Sequence, residues 1–182
     1  EEITIPVPGK FNATNAMLAA YVGTLLDVEE DEIRHALSHV SLTRNRTEWK
    51  KASNGADILS DVYNANPTAM KLILETFQAI PKNEGGRKLT VLADMLELGD
   101  QAPELHASIA AAIDFSKMDH VYLYGDLMKY LLAELPEDKV SYFGNLEQLT
   151  EELQSTLQPQ DQLLLKGSNS MKLGTIVEEL QN

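Results

Sequence analysis

The fold is decided by residues 56–67, Ala56-Asp57-Ile58-Leu59-Ser60-Asp61-Val62-Tyr63-Asn64-Ala65-Asn66-Pro67. Residues 56–62 are typical of a buried strand, and Pro67 opens a helix whose apolar residues recur at helical spacing as far as Phe77. On the N-terminal side, a strand at residues 47–52 and an Asn54-Gly55 turn complete a β-hairpin pattern. This stretch therefore predicts a strand that belongs to a hairpin and leads into a helix.

Strands and helices continue to alternate after this stretch. Strands are predicted at residues 88–93, 121–124, 139–143 and 162–166, and helices near residues 103–115, 126–135, 146–157 and 170–180. Such alternation predicts an α/β fold with a Rossmann-like, doubly wound and mainly parallel sheet that carries the β-hairpin at its edge.

The first 40 residues have a different pattern. Residues 3–8 are typical of a strand that prolines terminate, and an Ala-rich helix follows to about Leu26. Asp27 and Glu30 form a capping-box pattern for a second helix. Residues 41–45 are polar and unpatterned, which predicts a linker. We therefore expect a helical piece of one domain in residues 1–40 and a second domain in residues 41–182.

Composition excludes several classes of protein. The chain has no cysteine, so it has neither a disulfide framework nor a thiolate site. A net charge of -13 disfavours nucleic acid and anionic membrane surfaces as partners. No apolar run approaches the roughly 18 residues that a membrane span needs, so we expect a cytoplasmic protein. His35 and His39 share a helix face but lack a third ligand, and no metal site is predicted.

Polar side chains follow several predicted strands, at the edge of the sheet where ligands bind in this fold class. The three richest segments are 61–67, 94–99 and 166–170. Asp61 and the amides after it are suited to a ribose or another polar ligand, and Lys166 with the hydroxyls after it is suited to an anion. The three segments predict one ligand site.

Each segment also has a purely structural interpretation. Asn66 is a natural cap for the helix that Pro67 opens. Ser170 is a candidate cap with Lys166 solvated, and Gly99 is a candidate turn residue beside a surface Glu97. A lone histidine such as His106 is more often structural than catalytic. These alternatives stay open on the sequence alone.

Arg46 stands where the predicted linker enters the hairpin. The planar guanidinium group is matched to phosphate oxygens, so this position favours phosphate recognition. A surface ion pair with Glu48 is an equally good interpretation.

Together these segments resemble the Mur ligase family. The matching motifs are Gly9-Lys10-Phe11-Asn12-Ala13-Thr14-Asn15-Ala16, Arg46-Thr47-Glu48, Asp61 to Pro67, Asp94-Met95-Leu96-Glu97-Leu98-Gly99 with His106, and Lys166-Gly167-Ser168. The resemblance covers nearly the whole chain. It is greatest to the branch of the family that joins D-alanyl-D-alanine to UDP-N-acetylmuramoyl-tripeptide in peptidoglycan precursor synthesis.

The resemblance implies an architecture and a reaction. Residues 1–40 would be the end of a central ATPase domain, and residues 41–182 would be a Rossmann-like C-terminal domain. ATP and Mg²⁺ are the implied cofactors, held mainly by a part of the central domain that this chain lacks. Gly9-Lys10-Phe11 does not replace the family's phosphate loop, because it lacks the preceding glycine and the hydroxyl that would hold Mg²⁺. The chain is therefore expected to be inactive by itself. We also expect it to be a monomer.

The resemblance also implies residue roles. Asn12 and Asn15 would lie near the adenine, Arg46 on phosphate or ribose, and Asp61 on the ribose. The residues implied to line the face toward the tripeptide and dipeptide are Tyr63, Asn64, Asn66, Asp94, Glu97, Lys166 and Ser168. Two competing hypotheses have no catalysis: a stand-alone Rossmann-like binding or regulatory module, and an acidic interaction protein.

Overall fold

The structure is a computed structural model that describes residues 3–40 and 46–182. The chain divides into two compact units, Glu1–Thr43 and Arg44–Asn182, and each is described by itself. The predicted linker, residues 41–45, lies outside the described residues. None of the described helices is long and apolar enough to cross a membrane.

The N-terminal unit contains the helices α1 (Lys10–Leu25) and α2 (Glu30–Ser38). The strand predicted at residues 3–8 is wrong, because this segment has no regular structure. Pro6 and Pro8 have no backbone N–H to donate, and no described segment pairs with these residues.

The predicted capping box at Asp27 is also wrong. Asp27 has φ 57° and ends α1 instead of starting α2. The Asp27 N–H donates to the carbonyl of Thr24 at 3.2 Å, and the Val28 N–H donates to that of Gly23 at 3.0 Å. This pair of bonds is the Schellman pattern, in which a left-handed residue satisfies the last carbonyl groups of a helix.

The C-terminal unit alternates strands and helices, as predicted. Its strands are β1 (Glu48–Lys51), β2 (Asp57–Asp61), β3 (Lys88–Ala93), β4 (His120–Tyr124), β5 (Val140–Phe143) and β6 (Gln162–Lys166). Its α-helices are α3 (Pro67–Ala79), α4 (Ala102–Ala107), α5 (Met128–Leu132), α6 (Leu146–Thr156) and α7 (Leu173–Gln181). Short 3-10 turns cover Gly99–Gln101, Ser108–Ala112, Glu137–Lys139 and Asn169–Met171.

The six strands form one sheet in the order β1-β2-β6-β3-β4-β5. Only β1 is antiparallel to its neighbour, so the predicted mainly parallel sheet with a hairpin edge is confirmed. From β2 to β5 the chain moves across the sheet in one direction, and it then returns to insert β6 between β2 and β3. This reversal is the reason that helices cover both faces.

Each face of the sheet has its own apolar layer. Helices α6 and α7 pack through Leu149, Leu153, Ile176 and Val177 into one continuous cluster with the sheet. On the other face, α3 buries a stripe that ends at Phe77, and α4 contacts α5. The core therefore fixes the strands from both sides and leaves their ends for polar chemistry.

Several predicted helices start late or end early. The helix expected at residues 103–115 divides into α4 and a 3-10 turn, and the helix expected at residues 126–135 narrows to α5. The last helix starts at Leu173 and not at Ser170, because Lys172 has φ 58° and cannot continue the preceding turn as an α-helix.

A buried carboxylate lies at the amino-terminal ends of the parallel strands. The side chain of Asp161 is fully buried and accepts from the backbone N–H and the side chain of Arg87 at 2.6–3.2 Å. The Gln158 N–H donates to the same carboxylate at 2.9 Å. Burial raises the pKa of Asp161, but Arg87 and the two backbone donors outweigh it, so its pKa is lowered from 3.8.

We expect Asp161→Asn to lower the free energy of unfolding at pH 7 by about 3 kcal/mol, because one member of a buried pair is removed. The lowered pKa means that this stabilisation is present above the unfolded-state pKa and is lost as pH falls through the folded-state pKa. Urea unfolding at pH 7 and in acid should therefore show the variant and the wild type converging in acid.

Asp126→Asn is the matched control, since Asp126 also pairs with a cation, Lys129, but is exposed. Its unfolding curve at pH 7 should overlay that of the wild type. Equal losses for the two variants would contradict the role assigned to burial at Asp161.

Candidate functional site

The strand register brings the predicted site segments to one edge of the sheet. Asp61 at the end of β2 is in register with Lys166 at the end of β6, and Lys166 is also in register with Leu92 of β3. Ala93 is in register with Tyr124 of β4. The loops that follow these four strands are therefore neighbours, as the fold predicts.

Lys166 is an internal brace of this edge. Its ammonium nitrogen lies 2.8 Å from the Asp61 carboxylate and donates to the Asn64 carbonyl oxygen at 2.5 Å, and the residue is only 3% exposed. The interpretation of Lys166 as a solvated side chain is thus wrong, and so is Ser170 as the helix cap. The role of Lys166 toward a ligand stays a prediction.

Asp61 also holds the entrance of the hairpin. Its second carboxylate oxygen accepts from the Thr47 N–H at 3.1 Å. Thr47 is buried and has φ 47°, a conformation that is strained for a β-branched residue. This strain explains why β1 begins at Glu48 and not at residue 47. The carboxylate of Asp61 is occupied by two partners but retains lone pairs for a ligand.

Arg46 and Tyr63 form a cation–π pair at the surface, next to the carboxyl end of β2. The Arg46 guanidinium carbon lies 4.4 Å from the centre of the Tyr63 ring, and both residues are exposed. The ion pair of Arg46 with Glu48 is not formed, because the guanidinium has no hydrogen bond or ion pair with the described residues. Its N–H groups are therefore free to meet a ligand.

The amides after Tyr63 have separate roles. Asn66 caps α3, since its side-chain oxygen accepts from the Ala69 N–H at 2.8 Å. The structural interpretation of Asn66 is thus confirmed. Asn64 has an exposed side chain, and its carbonyl oxygen is held by Lys166.

Three hydrogen bonds fix the loop after β3. The Ser168 N–H donates to the Asp94 carbonyl at 3.1 Å, and the Leu96 N–H donates to the Ser168 hydroxyl at 2.9 Å. The Met95 N–H donates to Nε2 of His106 at 2.9 Å. His106 is fully buried, and its Nδ1 lies 2.6 Å from the Ala102 carbonyl oxygen. These partners require a neutral ring with the proton on Nδ1, so the structural interpretation of His106 is confirmed.

The Asp94 carboxylate ties this loop to the one after β4. It is 5% exposed and accepts from the Met128 N–H at 3.0 Å. Burial raises the pKa of Asp94, and the backbone N–H groups of Leu127 and Met128 only partly oppose that effect. Gly125 packs against the same carboxylate, so a Cβ at this position would lie 2.4 Å from the carboxyl carbon. These contacts favour a bracing role, and a direct contact of Asp94 with substrate stays a prediction.

Glu97 projects from the fixed loop. It is exposed, has φ 66°, and its side chain makes no hydrogen bond or ion pair with the described part of the chain. Left-handed backbone at a non-glycine residue is strained, and such residues occur at turns and cluster at active sites. Among the predicted substrate residues of this loop, Glu97 is the carboxylate that is free to bind.

The remaining predicted residues belong to the N-terminal unit. Asn12 is buried and donates to the Pro8 carbonyl at 2.6 Å, whereas Asn15 is exposed. Within residues 3–40 and 46–182, no three His, Asp or Glu side chains are grouped so that they could hold a metal ion.

Comparison with known proteins decides the family. Residues 45–169 match the family described as "Mur ligase, glutamate ligase domain". The chain belongs to the Mur ligase family. It is 35% identical over 181 residues to the UDP-N-acetylmuramoyl-tripeptide--D-alanyl-D-alanine ligase of Bacillus subtilis (strain 168), which covers 97% of this chain and 39% of that protein.

Solved structures agree with this assignment. A crystal structure of MurF from Acinetobacter baumannii matches with a TM-score of 0.86 and 25% identity, over 98% of this chain and 39% of that one. MurF ligase from Thermotoga maritima, solved in complex with ADP, has the same fold with a TM-score of 0.79 and 20% identity, over 96% of this chain and 39% of that one. The chain of this Mur ligase family member thus spans about two fifths of the length of these relatives.

Sequence reasoning missed two residues and one contact of the site. Nothing in the local sequence distinguishes Thr47 as a left-handed residue or joins it to Asp61. Gly125, which directly follows a strand, was a usable sign of close packing. The stack of Arg46 on Tyr63 joins positions in different segments, and no pattern within either segment predicts it.

We expect Gly125→Ala to destabilise the protein more than Gly55→Ala does. Both glycines have positive φ, 113° and 100°, so both substitutions introduce similar backbone strain. Only Gly125 faces Asp94, whereas a Cβ on Gly55 would meet nothing closer than 3.9 Å. Displacing the Asp94 carboxylate from its buried donors should cost a further 1–3 kcal/mol, roughly, in urea unfolding.

The double variant Asp94→Ala/Gly125→Ala removes the clash, so its loss should be smaller than the sum of the single losses. Additive losses, or equal losses at the two glycines, would show that Asp94 does not brace this loop.

Proposed function

We propose that this chain is the C-terminal portion of an ATP-dependent ligase that joins D-alanyl-D-alanine to UDP-N-acetylmuramoyl-tripeptide. The observation that carries the proposal is its similarity, over nearly the whole chain, to a relative named for that activity. The site fits the reaction, because Arg46 presents a free guanidinium beside the polar ends of β2, β3 and β6.

In the proposed reaction, ATP phosphorylates the terminal carboxylate of the UDP-linked tripeptide and leaves as ADP. The amine of D-alanyl-D-alanine then attacks the acyl phosphate, inorganic phosphate leaves, and an amide bond remains. The acyl phosphate is hydrolysable, so the reaction needs a site from which water is excluded. Two domains that close over the nucleotide provide such a site.

Nucleotide binding must be shared with another part of the protein. Arg46 fits a phosphate, and Asp61 fits a ribose hydroxyl through its remaining lone pairs. The 182 residues contain no glycine-rich loop ending in Gly-Lys-Ser or Gly-Lys-Thr. The described residues include no group of three His, Asp or Glu side chains that could hold Mg²⁺, so in this proposal the metal would be held by that other part of the protein.

We further propose that residues 1–40 are the end of the ATPase domain, which carries Asn12 and Asn15 toward the adenine. From Ala16 to Leu25, helix α1 is almost entirely apolar, and several large side chains of this part and of the adjoining Leu26 are more than half exposed: Met17, Leu18, Tyr21, Val22, Leu25 and Leu26. A helix of this kind is normally buried in a larger core. Because nucleotide-linked precursors and ATP are cytoplasmic, we place the protein in the cytoplasm.

The complete protein that contains this chain should release ADP only when both the UDP-linked tripeptide and D-alanyl-D-alanine are present. The chain by itself should be inactive, and adding the missing N-terminal part should restore turnover. ADP release and amide product, followed by coupled assay and mass spectrometry, test this proposal. A complete protein that binds ligands but forms no amide would favour the binding or regulatory module.

In that complete protein, Arg46→Ala should lower kcat/KM about a hundredfold, because a charged donor to the phosphate is lost. Arg46→Lys should recover only part of the loss, since an ammonium group lacks the planar fork. Lys117→Ala is the control, because it removes an exposed cation that lies before the amino-terminal end of β4. Its kcat/KM should be near that of the wild type. A near-normal rate for Arg46→Ala would exclude the phosphate role.

A further inference from the structure

We propose that Tyr63 is a positioning residue for Arg46, and that the Lys166–Asp61 pair holds both residues in place for a phosphate-bearing ligand. The inference rests on the proposed function only in assigning phosphate to Arg46. Tyr63 is thus a support for the guanidinium and not a contact for the peptide substrates.

Stacking leaves the hydrogen-bonding edge of Arg46 free. The guanidinium carbon lies over the Tyr63 ring, 4.4 Å from its centre, so the contact is with the π-face of the ring. The N–H donors lie in the guanidinium plane, and they make no hydrogen bond with the described residues, so they are available to a ligand. Because the arginine side chain is long and flexible, a stack that restricts its rotamers lowers the entropy lost when the ligand binds.

Lys166 fixes the loop that carries the ring. Its ammonium group binds the Asp61 side chain and the Asn64 carbonyl, which lie on either side of Tyr63 in sequence. Lys166 is 3% exposed, so this bridge is shielded from water and from screening by salt. Tyr63 therefore lies in a short segment, residues 61–64, whose two ends are both held by Lys166.

Asp61 fixes the backbone that carries the guanidinium. It accepts the N–H of Thr47, the residue that follows Arg46. Thr47 is buried in a left-handed conformation that an unsupported β-branched residue would leave. One ion pair thus holds the backbone of Arg46 and the backbone of Tyr63 in a common frame.

Charge favours an anionic ligand at this point. The chain has a net charge of -13, so an anion needs a local cation. The carboxylate of this frame, Asp61, is neutralised by Lys166, and the Arg46 guanidinium has no acidic partner among the described residues. The free fork is suited to phosphate oxygens.

The test measures binding of inorganic tripolyphosphate to the 182-residue chain by NMR, following the Arg46 side-chain Nε–H and the backbone amides. In the free protein, the Arg46 Nε–H should show a ring-current shift from Tyr63. This shift should persist in Tyr63→Phe and disappear in Tyr63→Leu.

Binding should follow the same pattern. Tyr63→Phe keeps the stack and should keep the wild-type Kd, whereas Tyr63→Leu should weaken binding about two- to fivefold, the worth of an exposed cation–π contact. Tyr130→Leu is the matched control, because Tyr130 is 46% exposed and Tyr63 is 44% exposed. Amide shifts outside the loop report whether each variant is folded.

A double-variant cycle separates positioning from direct contact. In an Arg46→Ala background, Tyr63→Leu should change the Kd no further, because Tyr63 acts through Arg46. A further loss in that background, wild-type binding by Tyr63→Leu, or no binding by the wild type at millimolar tripolyphosphate would each overturn the inference. The assay includes no ligase chemistry, so a complete protein without amide-forming activity would refute the proposed function and leave this result standing.

Discussion

Strand β6 pairs with β2 on one side and β3 on the other, and this insertion places Lys166 between the loop that follows β2 and the loop that follows β3. The carbonyl that Lys166 holds belongs to Asn64, which is 102 residues away in sequence. Ser168, which lies two residues after Lys166, fixes the loop after β3 through its N–H and its hydroxyl. The return of the chain to the middle of the sheet therefore builds the site, because one strand end supplies the braces for both neighbours.

These braces separate the polar residues of the edge into two groups. Lys166, Asp94 and His106 are buried, and their polar side-chain atoms bond to other parts of the protein and hold the loops together. Arg46 and Glu97 are exposed and have no polar partner among the described residues. A buried charge is tolerated only when it is paired, and the bonds of the buried residues hold the backbone from which Arg46 and Glu97 project.

The sequence allowed the order of the elements to be predicted, because periodicity and turn residues are local signals. The Asn54-Gly55 hairpin, the apolar strands and the Asn66 cap are each encoded within a few residues. The left-handed turn at Asp27 was not predicted, because aspartate is favoured where a helix starts and is also tolerated as the left-handed residue that ends one. The sequence alone could not decide whether Lys166 binds a ligand or braces the fold, because its partners are set by the strand order and not by its neighbours in sequence.

The position of Arg46 indicates what this arrangement would contribute to the proposed two-domain reaction. Every described contact that holds Arg46 and Tyr63 lies within the C-terminal unit. The guanidinium is therefore oriented before any other part of the protein approaches, and in the proposed reaction domain closure would only have to bring a phosphate to it. Preorganisation of this kind moves the cost of ordering the side chain from binding to folding. The strain at Thr47 is a part of that cost, and the buried Lys166–Asp61 pair is what allows the folded unit to bear it.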